Sequence, residues 1–193
     1  MNDDTPLPGS AADIEPFWLA YQHACSVKVP GFSASAFGHT RALADTLAEL
    51  VLSGVKRAQA TLLRDFEADG SVEGAGEGAD SSLPQPGDHL VVLDGEGRPR
   101  GIVRTAHVEK RLFNQIDDAF AFESGEGDLS LRWWLTAYRQ DYAERAEAEG
   151  FAVDERLELV LEYFELVWPV PAVPSLATAP TAPTAPTTLS NPA

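Results

Sequence analysis

Cysteine is nearly absent from this chain. Its single copy, Cys25, excludes an intrachain disulfide and a cysteine-built zinc cluster, and it suits a reducing compartment. As a small apolar residue Cys25 is expected to be buried. Basic residues are scarce as well: 14 lysines and arginines stand against 30 acids, for a formal net charge of -16. A field of that sign repels phosphate backbones at long range. It argues against a grip on long nucleic acid through a basic stripe, so any nucleic-acid ligand must be met by a local pocket. No apolar run reaches the length of a membrane-spanning helix. The segment Met1 to Ser10 carries acids rather than the basic start of a signal peptide, so a cytoplasmic protein with no membrane partner is expected. The histidines His23, His39, His89 and His107 are scattered outside any metal-ligand spacing. Neither a Gly-rich phosphate loop nor a nucleophile elbow is present, and no metal and no cofactor is expected.

What is present is the material of one domain: 193 residues, 44% of them hydrophobic. Residues 1–12 are polar and aperiodic and are expected to be disordered. From Pro169 to the last residue there is no charge, and Thr-Ala-Pro repeats; residues 169–193 therefore read as an extended, solvated tail. The ordered part is expected over 13–168. Phe17, Trp18 and Tyr21 place a first helix between Ile14 and Val27. Thr40 can cap a second, with Leu43, Leu47, Leu50 and Val51 on one face and Gly54 just past its end. Asp69 to Pro86 reads as a long surface loop. His89 to Asp94 and Gly101 to Val108, joined through Gly95-Glu96-Gly97, read as a hairpin. Asp128 or Ser130 can cap a long helix carrying Leu131, Trp134, Leu135, Tyr138 and Tyr142 on one stripe and closing near Gly150. Leu157 to Trp168 is β-branched and aromatic enough for a strand. Helices and strands interleave without regular βαβ units, which makes the fold class α+β.

Three segments can carry chemistry. In the first, Gly54 releases a helix into an extended run, setting Lys56 and Arg57 at an element junction where anions or carbonyl oxygens are readily held. Arg57, Gln59 and Thr61 share one face of that run by period two. In the second, glycines flank Glu126, so its carboxylate can be exposed or buried, and Asp128 and Ser130 stand where a helix begins. In the third, Trp134 fits the apolar stripe while Trp133 points about 100° away and can serve as a stacking platform for a base. Arg98, Arg100, Arg104, Lys110 and Arg111 form the only stretch of clear positive excess. Each segment also has an ordinary explanation: a solvated loop, an acidic turn with a helix cap, a packing tryptophan and a solvated strand face. Spacing alone does not bring Lys56 and Glu126 together.

Four stretches in order resemble the ASCH domain: Phe37-Gly38 with the helix ending Leu52-Ser53-Gly54-Val55-Lys56; Pro86-Gly87-Asp88 leading to Val91-Val92-Leu93-Asp94; Gly101 to Val108; and Gly125-Glu126-Gly127-Asp128-Leu129-Ser130-Leu131 with Trp134. The resemblance spans roughly Phe17 to Trp168. It implies a PUA-like small β-barrel of mostly antiparallel strands, with helices at its rim and a cleft over the barrel. It also implies RNA or a small nucleoside-like ligand as partner, bound or hydrolysed in a ribonuclease-like or acylcytidine amidohydrolase-like reaction. Lys56 matches the lysine on which both kinds of relative rely, and Ser130 matches a serine used in the ribonuclease-like branch. The amidohydrolase branch has a threonine where Gln59 stands and a glutamate where Ser124 stands. Leu50 and Leu129 take the places of a tyrosine and an arginine. The expected catalytic set is Lys56, Glu126 and Ser130. Arg57, Gln59, Thr61, Arg104, Asp128 and Trp133 are the expected ligand-binding residues. A non-catalytic binding module using the same pocket, or a protein-interaction domain, is the alternative.

Overall fold

The computed structural model describes residues 4–67, 83–154 and 156–169. Most of the expected loop at 69–86 and nearly all of the tail therefore lie outside the described residues. Eleven short elements follow one another: helix α1 Ala11–Cys25, strand β1 Ser33–Ala36, helix α2 Arg41–Leu52, strand β2 Ala58–Leu62, the single turn α3 Arg64–Glu67, strands β3 His89–Leu93 and β4 Pro99–Leu112, a 3-10 turn Phe113–Gln115, helices α4 Asp118–Ser124 and α5 Leu131–Glu149, and strand β5 Glu158–Trp168. The strands form one mixed sheet in the order β1-β3-β4-β5-β2. Only β1 and β3 run parallel; every other pairing is antiparallel. The sheet curls into a half-barrel, and the architecture is α+β with a PUA-like plan, as the resemblance implied.

Side-chain alternation decides which face each strand offers. Along β2, Ala58, Ala60 and Leu62 are buried while Gln59 and Thr61 are partly open. The three apolar residues pack with Leu159 and Leu161 against Phe120 and Ala121 of α4 and Trp134 and Tyr142 of α5. A second cluster joins Leu47, Ala48 and Val51 of α2 to Val92, Val103, Phe164 and Phe37. A third lays Ile14, Trp18 and Tyr21 of α1 on Val91, Leu93 and Ile102. Val91 and Val92 point to opposite faces, so α1 and α2 clamp the sheet from its two sides. Cys25 is half-buried at the edge of the third cluster.

The expected caps are in place. Thr40 accepts from Leu43 N at 3.2 Å, Ser130 accepts from Trp133 N at 3.1 Å, and Gly54 and Gly150 carry positive φ just past their helices. Strand β1 and helix α4 are elements that no periodicity announced. The first alternates serine and alanine over four residues, too little apolar signal to stand out. The second is a two-turn helix capped by Asp117, whose side chain accepts from Phe120 N at 2.8 Å. The head also differs from expectation. Asp4 to Ser10 lies along the body of the protein, with Leu7 N donating to Gly95 O at 3.0 Å and Arg41 N to Asp4 O at 2.8 Å. Backbone bonding to the hairpin turn, rather than any apolar pattern, holds it there.

Candidate functional site

Helix α2 ends at Leu52 with Ser53 as its C-cap, and Gly54 at φ +73 turns the chain so that the N–H groups of Val55 and Lys56 both return to Leu50 O. Arg57 N then donates to Glu123 O at 2.8 Å, and Phe164 N to Arg57 O at 2.9 Å. Lys56 is thus wedged between α2, the α4–α5 connection and β5. Its side chain is 1% exposed. On the other side, Gly125 caps α4 at φ +74, and a Cβ there would stand 2.4 Å from Val55 O and 2.6 Å from Lys56 Cα. Only a glycine lets the two segments come this close, which is the local reason for the Gly-Glu-Gly pattern.

The two segments meet as an ion pair. Lys56 Nζ donates to Glu126 Oε1 at 2.6 Å, to Ala58 O at 3.0 Å and to Ser124 O at 3.4 Å. Glu126 Oε1 also accepts from Ser124 Oγ at 3.1 Å and from Tyr138 Oη at 2.8 Å. All three ammonium protons are engaged and Glu126 Oε1 carries three donors, while among the described residues nothing donates to Oε2. Burial pushes the Lys56 ammonium below its ordinary range, opposed by the attraction of Glu126. Burial and the same carboxylate push the Tyr138 hydroxyl well up, so it stays a donor. The Tyr138 ring stacks on Trp134 at 4.1 Å between centroids. Tyr138 is a member of the cluster that sequence reasoning missed: on the apolar stripe of α5 it reads as a packing residue.

Behind this pair the Lys56 ammonium faces the ring of Phe37 at 5.5 Å, and Phe37 stacks on Phe164 at 5.6 Å. Phe37 also lines a cleft of about 450 Å³, to which all five strands contribute: Ser33 and Ser35 of β1, Gln59 and Thr61 of β2, His89 of β3, Thr105 of β4 and Glu162 of β5 among them. Phe32, Phe66 and Asp88 line it as well. Gln59 pairs with Glu162 across β2 and β5, and Phe164 follows Glu162 by two. The cleft therefore opens on the sheet face that α2 covers elsewhere. Among the described residues its lining holds no lysine or arginine.

Gln59 and Thr61 stand in this cleft, and Lys56 and Glu126 stand one aromatic ring away. The other expected residues are elsewhere. Arg57 is half-exposed and forks onto Glu123, with Nε at 2.7 Å from Oε2 and Nη2 at 3.1 Å from Oε1. Ser130 caps α5 and donates to Asp128 Oδ1 at 2.5 Å, so both are engaged in the helix start. Trp133, 36% exposed, lies over Gly127, where a Cβ would stand 2.0 Å from its ring. Arg104 pairs with Glu165 on the strand surface. The other arginines of the basic stretch are neutralised in the same way, Arg98 by Asp94, Arg100 by Glu49 and Arg111 by Asp117, while Lys110 has no ion pair among the described residues. Asp88 and Thr105 lie within motif stretches and Glu162 in a strand, none with a feature that marks a site; only the pairing register brings Thr105 and Glu162 to one face. Among the described residues no group of His, Cys, Asp and Glu could hold a metal ion. No described helix is long and apolar enough to cross a membrane.

Comparison with known proteins agrees with this geometry. Among solved structures, the ASCH domain from Lactobacillus crispatus JV V101 matches at 31% identity and TM-score 0.71, over 82% of this chain and 96% of its own. A DUF984 protein from Enterococcus faecalis V583 matches at 23% identity and TM-score 0.68, over 82% and 94% respectively, and shows the same fold. No curated protein matches. The family model of the ASCH domain matches residues 33–168, from the first strand to the last, and the chain therefore belongs to the ASCH domain family.

Proposed function

We propose that this protein is a binding module whose concave cleft receives the base of a small nucleoside-like ligand. The observation that carries this reading is the composition of the cleft. Phe32, Phe37 and Phe66 line it together with Ser33, Ser35, Gln59, Thr61 and Thr105, within a volume suited to one flat ring and its sugar. Stacking on aromatic rings with polar recognition of the edge is how proteins hold an unstacked base. Strong net negative charge is no obstacle when a single base, rather than a phosphate backbone, is the target.

Binding fits the cluster better than catalysis does. An ammonium that stabilises developing charge needs a free N–H aimed at the reacting oxygen, and Lys56 has spent all three on Glu126, Ala58 and Ser124. Ser130 has spent its hydroxyl on Asp128 and on the helix cap. The pair then acts as a buried prop behind Phe37. Isothermal titration of the full chain with unphosphorylated nucleosides tests this, alongside a turnover assay on acylated cytidines and single-stranded RNA. Saturable binding of a nucleoside without turnover is expected. Turnover that disappears in Lys56→Met would replace this reading with a hydrolase, and a wild type that binds none of the nucleosides would sink it.

A further inference from the structure

The cleft has a chemical polarity of its own. Glu162 and Gln59 stand opposite one another on β5 and β2 and face the same space. Thr105 Oγ1 donates to Glu162 Oε1 at 2.5 Å, and among the described residues nothing donates to Oε2. Gln59 Nε2 donates to Ala60 O at 3.0 Å, which fixes the amide orientation and leaves Gln59 Oε1 as a buried acceptor with no partner among the described residues. His89, 6% exposed, lines the cleft as well. Its ring, however, lies on the α1 side against Trp18 and Tyr21, with Nε2 at 3.0 Å from Tyr21 Oη, so it adds no acceptor to the wall. Asp88 adds a second carboxyl group to the lining. No lysine or arginine answers these acids among the described lining residues.

A wall of that kind offers acceptors and asks for donors. We propose that Glu162 is the specificity-determining residue of this cleft, selecting a flat heteroaromatic ring that presents N–H donors on its edge, an amino-substituted pyrimidine or purine without any phosphate requirement. This rests on the nucleoside-binding reading above and narrows it. The free Oε2 and Gln59 Oε1 would accept from the two N–H bonds of an exocyclic amine, or from that amine and a ring N–H where the ring has one, as guanine does, while the phenylalanines cover the faces. A ring that offers carbonyl oxygens at that edge meets lone pairs with lone pairs, and the buried acceptors stay unpaired.

Two matched pairs of probes isolate the amine: cytidine against uridine, and guanosine against inosine. Titration calorimetry with the wild-type chain is expected to give the amino-bearing member an affinity about tenfold higher in at least one pair, as one hydrogen bond to a charged acceptor would. Glu162→Gln, checked for folding by circular dichroism, is expected to erase that preference. The 5′-monophosphate of the preferred nucleoside is expected to bind no more tightly than the nucleoside itself. Equal affinities within both pairs, a preference that survives Glu162→Gln, or a clear gain from the phosphate would each overturn the assignment while leaving nucleoside binding intact. A wild type that binds none of the four overturns both readings together.

Discussion

At the scale of single residues, the Lys56–Glu126 pair behaves as a buried ion pair whose parts cannot be removed singly. Lys56 is fully enclosed and the Glu126 side chain is 11% exposed, so deleting one charge strands the other. Lys56→Met should lower the unfolding free energy by about 3–5 kcal/mol. Lys56→Met combined with Glu126→Gln should recover much of that loss in urea titrations. A double-variant loss equal to the sum of the two single losses would show that the charges do not interact. Glu162 carries the opposite signature. Burial pushes its carboxyl above the ordinary 4.5, with the hydrogen bond from Thr105 only partly offsetting it. A folded-state value raised above the unfolded one means that the favourable contribution is complete below about 4.5 and is lost as pH rises through the folded value. Glu162→Gln is therefore expected to stabilise the protein at pH near 7 by on the order of 1 kcal/mol, with the gain vanishing under acid. Thermal melts at the two extremes read this directly, and a destabilised variant at neutral pH would contradict it.

At the scale of elements, the approach of two chain segments decides the site. Gly125 permits contact between the end of α4 and the backbone at Val55 and Lys56. Gly125→Ala should cost about 1–3 kcal/mol, because both its positive φ and the backbone clash oppose a side chain. Chemical denaturation measures the loss, and a neutral result would mean the connection can be rebuilt. The start of α5 offers a contrast. If Ser130 serves only as its cap, Ser130→Ala should cost about 1 kcal/mol and leave nucleoside affinity unchanged. Calorimetry showing lost affinity would return Ser130 to the site. The hairpin joining β3 and β4 is organised by Asp94, 0% exposed, whose Oδ1 accepts from Glu96 N and Arg98 N at 3.0 Å each. The stretch Val91-Val92-Leu93-Asp94 ends on this residue, where the turn needs an acceptor.

At the scale of the whole molecule, most of the few cations are engaged by acidic neighbours among the described residues. Each arginine in the basic stretch around β4 holds an acidic partner, which leaves that surface without a phosphate-binding row. Binding of single-stranded RNA is expected to be weak and to gain little at low salt, in contrast to proteins that release counterions from a backbone. A steep salt dependence in a fluorescence-anisotropy titration would show that a basic surface forms after all. The curled sheet explains why the ligand site can survive inside an acidic shell. Its lining is drawn from all five strands, and those strands enclose a volume in which hydrogen bonding and stacking, not the distant field, select the occupant.

Much of this protein was readable in its residues. The caps at Thr40 and Ser130, the stripe of α5, the hairpin and the strand ending at Trp168 follow from local periodicity and turn chemistry, which depend on near neighbours alone. The ASCH-like order of motifs also pointed to Lys56 and Glu126. Their meeting at 2.6 Å, the enlistment of Tyr138, and the convergence of Gln59, Thr105 and Glu162 on one cleft were decided by tertiary structure. These contacts join residues up to 103 positions apart, Gln59 to Glu162, and they depend on strand register, in which a slip of one residue would turn every side chain to the other face.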